Sequence, residues 1–310
     1  MNKSNTYLFP SLEGLGVGIL KVCTSDYNIR GVLMLILALF SISSTQAQIA
    51  NDVIGASSTG MGGYSVTVSD LWSANNNQAG LGFATDISGG LFYENRFLLK
   101  ETSYRAGAFV LPVKTGAFGL SVASFGYSAY SETKAGLSYG QRFGDKFSVG
   151  VQLNYLNTKL SQDYGTKNSL TGAIGLMAKL NKEVTLGVHI YNPTRSKLAE
   201  YDTEKIPTIM KLGLAYRFSE KVMLGVETEK DLDYDAVVRA GLEYHITEIF
   251  YLRGGISTNP TMYSFGFGLQ MKNFKMDISS SFHQTLGMTP SISLIYQKKK
   301  STKKVETPSI

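Results

Sequence analysis

The sequence predicts an all-β fold: a closed antiparallel transmembrane β-barrel of about 14 strands with a short N-terminal hatch in its lumen. Three observations carry this. Apolar and polar residues alternate with period two, segment after segment, from Ile87 to Gln297, as strands do when one face is apolar and the other wet. The connections alternate between very short turns and longer loops, the pattern of a barrel that crosses a membrane. Charged residues make up only 17% of 310 residues, while Gly (32), Tyr (18) and Phe (16) are plentiful, a balance unusual for a soluble enzyme.

Residues 1–47 read as a leader. Arg30 precedes an apolar run of 11 residues, Val32 to Ile42, and small and polar residues follow to Ala47. This is the pattern of a secretory signal cleaved after Ala47. The run is too short for a membrane helix, which needs about 20 apolar residues. An exported chain with no longer apolar run can cross a membrane only with strands. The single cysteine, Cys23, lies in this leader, so a disulfide framework, a Cys-ligated metal and a Cys nucleophile are excluded from the mature chain.

Residues 48–86 form the hatch segment. Ser57 to Phe83 is the one stretch that reads as neither strand, turn nor tail. It opens with Gly60, Met61, Gly62 and Gly63, and alternates briefly from Tyr64 to Val68. One or two helical turns are expected from Ser69 or Asp70, carrying Leu71, Trp72 and Ala74, before the polar run Asn75 to Gln78 and Gly80. Met61, Gly62, Gly63, Leu71, Trp72, Asn77, Gln78 and Gly80 are the candidate hatch residues.

Residues 87–297 form the barrel. In Phe147 to Tyr155 the odd positions are apolar and the even ones are Ser148, Gly150, Gln152 and Asn154. Fourteen such segments begin near Ile87, Ser103, Gly116, Thr133, Phe147, Asn168, Val184, Thr208, Val222, Asp235, Phe250, Met262, Phe274 and Met288. That leaves about 15 residues each, roughly ten to span a bilayer and five to connect. Every second connection is short: Pro112–Thr115, Gly144–Lys146, Asn181–Glu183, Ser219–Lys221, Thr247–Glu248 and Lys272–Asn273. Flanking Phe143, Phe147, Phe218, Phe250 and Phe274 read as an interfacial girdle. A soluble sandwich of this size would need two cores and a linker, and no linker is visible. The even strand count places both chain termini on the short-turn, periplasmic side of a Gram-negative outer membrane, with outer-membrane lipid as the surrounding partner.

With the apolar phase on lipid, the other phase faces the lumen. It holds Arg142, Lys179, His189, Lys211, Arg217, Glu227, Glu229, Arg239, Glu243, His245, Arg253, Lys275, Asp277 and His283, interleaved with Gly140, Gly187, Gly213, Gly241, Gly266 and Gly268. Both signs of charge are present, so cross-strand pairs can neutralise the lumen. The three histidines sit on the seventh, tenth and thirteenth segments, too far apart in strand order for a metal site. No Ser-His-Asp set, phosphate-binding loop or nucleophile elbow is present, and Gly60–Gly63 does not follow a strand into a Rossmann helix. Neither an enzyme nor a cofactor is expected.

The net charge of +6 resides mostly in the ends. The leader contributes +1. The basic tail, 298–310, contributes +4 through Lys298, Lys299, Lys300, Lys303 and Lys304 against Glu306. The body is near neutral, so nucleic acid is not an expected partner.

Residues 55–70, G-A-S-S-T-G-M-G-G-Y-S-V-T-V-S-D, followed by N-N-Q-A-G-L at Asn76 to Leu81, resemble the N-terminal segment of the PorV/PorQ proteins of the FadL-like outer-membrane superfamily. That segment typically reads M-G-G-A-x-V-A, then an acidic pair, then N-P-A-G-L. The resemblance implies a fourteen-stranded barrel with a lumenal hatch. It also implies one of two roles: a passive conduit for small hydrophobic or amphipathic ligands, or a non-conducting accessory barrel that binds components of a type IX secretion system. In a conduit, Met61, Leu71 and Trp72 would supply the apolar hatch contacts. Gln78 stands where the family has Pro, so the turn loses a fixed φ and gains an N–H that needs a partner. The outward loops are short for this superfamily.

Overall fold

The computed structural model describes residues 52–160, 165–196 and 206–298. The expected leader 1–47 and the tail beyond Lys298 lie outside them. The strands are β1 (Ile87–Asn95), β2 (Ser103–Pro112), β3 (Gly116–Gly126), β4 (Tyr130–Phe143), β5 (Phe147–Leu160), β6 (Thr166–Lys179) and β7 (Val184–Tyr191). They continue as β8 (Ile209–Arg217), β9 (Val222–Asp231), β10 (Val237–His245), β11 (Phe250–Ser257), β12 (Met262–Met271), β13 (Phe274–His283) and β14 (Gly287–Lys298). Each pairs antiparallel with its neighbour in sequence, and β1 closes on β14 with Ile87 opposite Lys298. The largest displacement from an expected strand start is at β4, which begins at Tyr130 rather than Thr133.

Alternation sorts the side chains as predicted. The exterior is apolar, with Leu91 70% exposed and Phe118, Leu153, Leu212, Phe265 and Leu294 all outward. The short turns are made locally. Gly144 takes φ 64°, and Asn181 Oδ1 accepts from the backbone N–H of Glu183 and Val184 at 2.9 and 2.6 Å, an Asx turn.

Ahead of the strands lie two four-residue helices, α1 (Ala56–Thr59) and α2 (Ser73–Asn76), and a 3₁₀ stretch from Gln78 to Phe83. Tyr64–Val68 joins no ladder: the Ser65 and Val66 N–H groups go to the Glu227 carboxylate of the wall, and Val66 O accepts from Asn77 Nδ2. One local expectation shifts here. The helical turns begin at Ser73 rather than at Ser69 or Asp70. Ser73 Oγ accepts from the Asp70 N–H at 3.1 Å and donates to Val68 O at 2.8 Å, which holds Val68–Leu71 in a bend before the helix starts.

The termini themselves lie outside the described residues. Ile87 and Lys298 are together at the short-turn end. Asp52, the first described residue, instead pairs with Arg96 at 2.8 Å, just past the long-loop end of β1. The hatch therefore runs through the lumen: it starts at the long-loop end and leaves at the short-turn end, where Phe83 lies under Lys179 Nζ at 3.7 Å.

Candidate functional site: the hatch and its seat

The polar run that breaks the alternation stitches the hatch to itself. Asn76 exchanges two hydrogen bonds with the Ile54 backbone, accepting from its N–H at 3.0 Å and donating to its carbonyl at 2.8 Å. Asn77 Nδ2 donates to Val66 O at 2.5 Å while its Oδ1 accepts from the Ala79 N–H at 3.2 Å. Gly80 packs on Ser73, where an added Cβ would lie 2.4 Å from Oγ. Gly62 and Gly63 have φ of 72° and 84°, a turn that side chains disfavour. Buried Tyr64 bonds Thr67 through its hydroxyl, and burial pushes its phenol well above the usual range.

The wall answers with a belt of glycines. β1 and every strand from β3 to β12 place one inward glycine against the hatch: Gly90, Gly119, Gly140, Gly150, Gly175, Gly187, Gly213, Gly225, Gly241, Gly255 and Gly266. Strand register sets runs of them side by side, as in Gly140–Gly150–Gly175 and Gly225–Gly241–Gly255. A Cβ at Gly255 would lie 2.1 Å from Met61 C, at Gly150 2.2 Å from Gln78 C, and at Gly225 2.3 Å from the Tyr64 ring. Only glycine admits backbone this close. Most of this belt escapes a reading of the sequence, because alternation shows which way a glycine faces but not that eleven of them lie around one hatch.

The seat has two unlike sides. Toward β1–β3 and β14 it is apolar: Ile54, Leu71, Trp72, Ala74 and Leu81 bury against Phe92, Tyr104, Ala106, Val110 and Ile295. The Trp72 and Phe92 rings meet edge-on, with centroids 6.0 Å apart. Trp72→Ala is expected to cost about 3–5 kcal/mol, read as a lower temperature of heat-induced unfolding with the barrel still forming.

Toward β8–β13 the seat is mostly polar, around a small apolar contact of Met61, Tyr64 and Val68 with Ala215 and Met223. Glu227 Oε2 accepts from the backbone N–H of both Ser65 and Val66, each at 2.8 Å. Arg239, beneath Gly63, reaches Glu227 at 3.4 Å and takes Glu229 in a two-point pair at 2.9 and 3.2 Å. Lys211 completes this network on Glu229 at 3.1 Å. Thr59 Oγ1 lies 2.6 Å from Ser279 Oγ on β13 and 2.9 Å from Ser291 Oγ on β14, where the two sides meet. Away from this side, on β5, Gln78 substitutes a side-chain tie for the proline of the resemblance, with Nε2 donating to Gln152 Oε1 at 2.7 Å and to Asn75 O at 3.1 Å.

A second network runs His245–Glu243–Arg253–Asp277, at 2.9, 2.7 and 2.6 Å, with Lys275 3.8 Å from Asp277. Asp70 of the hatch feels this group. Burial raises its carboxyl above the usual range, against the pull of Lys275 and of the Trp72 N–H. A carboxyl whose pKa is raised on seating favours the seated form when protonated. That contribution is full below the ordinary aspartate value of about 3.9 and is lost as pH rises through the raised value. Asp70→Asn keeps the Oδ1 bond to Trp72 N and is expected to abolish this component. Protease protection of the hatch in the variant should then exceed wild type at neutral pH and equal it in acid.

The remaining inward candidates fall elsewhere. Arg142 and Arg217 are at the short-turn rim, both solvent-exposed. His189 is buried in β7 opposite Lys211. His283 caps the β13–β14 hairpin, its Nδ1 accepting from the N–H of Thr285 and Leu286 at 3.1 Å. The structure thus places the three histidines apart, and among the described residues no group of three potential ligands assembles.

Neither a protein-family model nor any curated protein matches the sequence. Solved structures do match in shape. The Pseudomonas putida toluene transporter TodX superposes with TM-score 0.63 at 14% identity, over 81% of this chain and 100% of that one. A Pseudomonas aeruginosa FadL homologue gives 0.60 at 14% identity, over 78% and 98%. The Ralstonia pickettii toluene transporter TbuX gives 0.60 at 14%, over 80% and 99%. At such identities the likeness is one of architecture. The chain has the FadL-type fold, a closed fourteen-stranded antiparallel β-barrel.

Proposed function

We propose that this chain is an outer-membrane barrel that conducts small hydrophobic or amphipathic molecules past a movable hatch. The observation that carries the reading is the two-sided seat. Residues 71–81 sit in the larger apolar cluster around Trp72, which Ala56 also joins. The rest of the arm 56–68 has a smaller apolar contact, Met61, Tyr64 and Val68 on Ala215 and Met223, and is otherwise held by a carboxylate, hydroxyls and glycine backbone. Polar contacts of this kind can be exchanged for water, but buried Trp72 and Leu71 cannot. The arm would swing while the anchor stays. The apolar exterior and the FadL-type fold, shared with barrels described as toluene transporters, support the membrane setting and an apolar cargo. The short-turn end would then face the periplasm.

A second reading has its own observation. The closeness of the glycine belt to the hatch backbone also suits a static cork, and with it the non-conducting accessory barrel of a type IX secretion system that the PorV/PorQ-like residues 55–81 imply. Uptake of the apolar probe phenylnaphthylamine into proteoliposomes separates the two. A conduit admits it faster than empty vesicles do. A cork leaves the rate unchanged, and the barrel then co-purifies with secretion components in mild detergent.

A further inference from the structure

The outer wall carries a site that the lumen does not explain. A groove of about 510 Å³ opens on the outside of the barrel across β14, β1, β2 and β3. The ladders beneath it are continuous, Leu91 pairing with Gly107 and with Leu294, and Gly107 with Val122. It is therefore a dent in a closed wall and not a hole. Gly107 contributes to the dent, because it puts no side chain between its cross-strand neighbours Leu91 and Val122. At the long-loop end of the groove stand Tyr93 and Arg105, cross-strand partners two residues outward of Leu91 and Gly107, or about 7 Å further along the strand.

Arg105 is exposed on the apolar outer face, and among the described residues it has no hydrogen-bond, ion-pair or ring partner. A cation on a lipid-facing wall is costly unless it reaches a polar head group or an anion. A tyrosine beside it marks the interfacial level.

We infer that this groove binds an acylated lipid with a phosphate head group, its chain lying over Gly107 and its phosphate on Arg105. Charge complementarity selects the head, because a guanidinium forks onto phosphate oxygens in two-point fashion. The apolar lining selects the chain. The inference rests on the membrane-spanning reading alone. Its failure would leave the hatch untouched, and a static hatch would leave it standing.

The test compares lipid phosphorus and acyl chains retained after extensive washing in mild detergent by wild type, Arg105→Gln and Gly107→Leu. The leucine is sterically permitted, since a Cβ at Gly107 would find only ordinary contacts, 3.6 Å to Leu91 Cδ2 and 3.7 Å to Gly90 O. Heat-modifiability on gels confirms that each barrel is folded. Wild type should hold a phosphorus-bearing lipid, Arg105→Gln about fivefold less, the worth of one basic residue at a lipid head group, and Gly107→Leu less than wild type because its side chain occupies the chain's place. Equal retention by all three, no retained phosphorus in wild type, or retention of neutral lipid alone would overturn the site. So would a change of oligomeric state in Gly107→Leu with lipid content unaltered, which would assign the groove to a second copy of the barrel.

Discussion

Gly255→Leu is expected to give a folded barrel with an unseated hatch. The Cβ alone would sit 2.1 Å from Met61 C and 2.2 Å from Gly62 N. Carbon contacts relax only at about 3.5 Å. The obstacle is hatch backbone, not the tip of a flexible side chain, so no rotamer change relieves it. The wall is held by ladders on both sides, through Gly241 and Ser264, and the arm is the weaker partner. The arm should lift, exposing Met61–Val68 to protease and giving conductance in planar bilayers where wild type is closed. Overpacking of this kind costs about 1–3 kcal/mol in ordinary cores, and more where backbone is struck. The neighbouring Gly254 faces outward, and an added Cβ there would meet nothing within 4 Å, so Gly254→Leu should behave as wild type. Equal protection and equal silence in both variants would show that the arm is not pressed on the belt.

Glu227→Ala is the second large effect. It removes the acceptor for two hatch N–H groups and one partner of Arg239 together. Glu227 is fully buried, and breaking such a pair costs about 3–5 kcal/mol, because the groups left behind are dry and unpaired. The loss falls on the seating of the arm. Glu229→Ala disturbs Arg239 and Lys211 but leaves both hatch N–H groups satisfied. Hatch protection against protease should therefore drop in Glu227→Ala and hold in Glu229→Ala, even if both lower the unfolding temperature. A hatch equally protected in Glu227→Ala would remove this carboxylate from the seat.

The barrel is legible in the sequence because a strand's side-chain period is two and a lipid-facing wall must be apolar. From Phe147–Tyr155 alone the two faces follow, and the short turns with their Phe flanks then set strand number and closure. The seat is legible only in part. Inward direction can be read for Glu227, Arg239 and Arg253, but which of them meet depends on register, which alternation does not specify. The glycine belt is the plainest case. Gly140, Gly187, Gly213, Gly241 and Gly266 fall in the inward phase as lumen residues with no stated role. Gly90, Gly119, Gly150, Gly175, Gly225 and Gly255 draw no notice as a group, since a glycine reads as neither apolar nor polar. Eleven inward glycines, nearly one per strand, are the sequence signal that points to a backbone pressed against the inner wall. The path of the hatch is hidden for a different reason: strand parity fixes where the barrel's own ends lie, not where a segment threading its lumen begins.

The central claim is that the arm 56–68 moves while the Trp72 anchor stays. The mature chain is expected to have no cysteine, so a single introduced pair can lock it. Thr59 and Ser279 already bring their side-chain oxygens within 2.6 Å, joining α1 to β13, and Thr59→Cys with Ser279→Cys would tether arm to wall. Uptake of phenylnaphthylamine into proteoliposomes should fall to the empty-vesicle rate when this pair is oxidised and return when it is reduced. Uptake that is fast and the same in both states would contradict a moving arm.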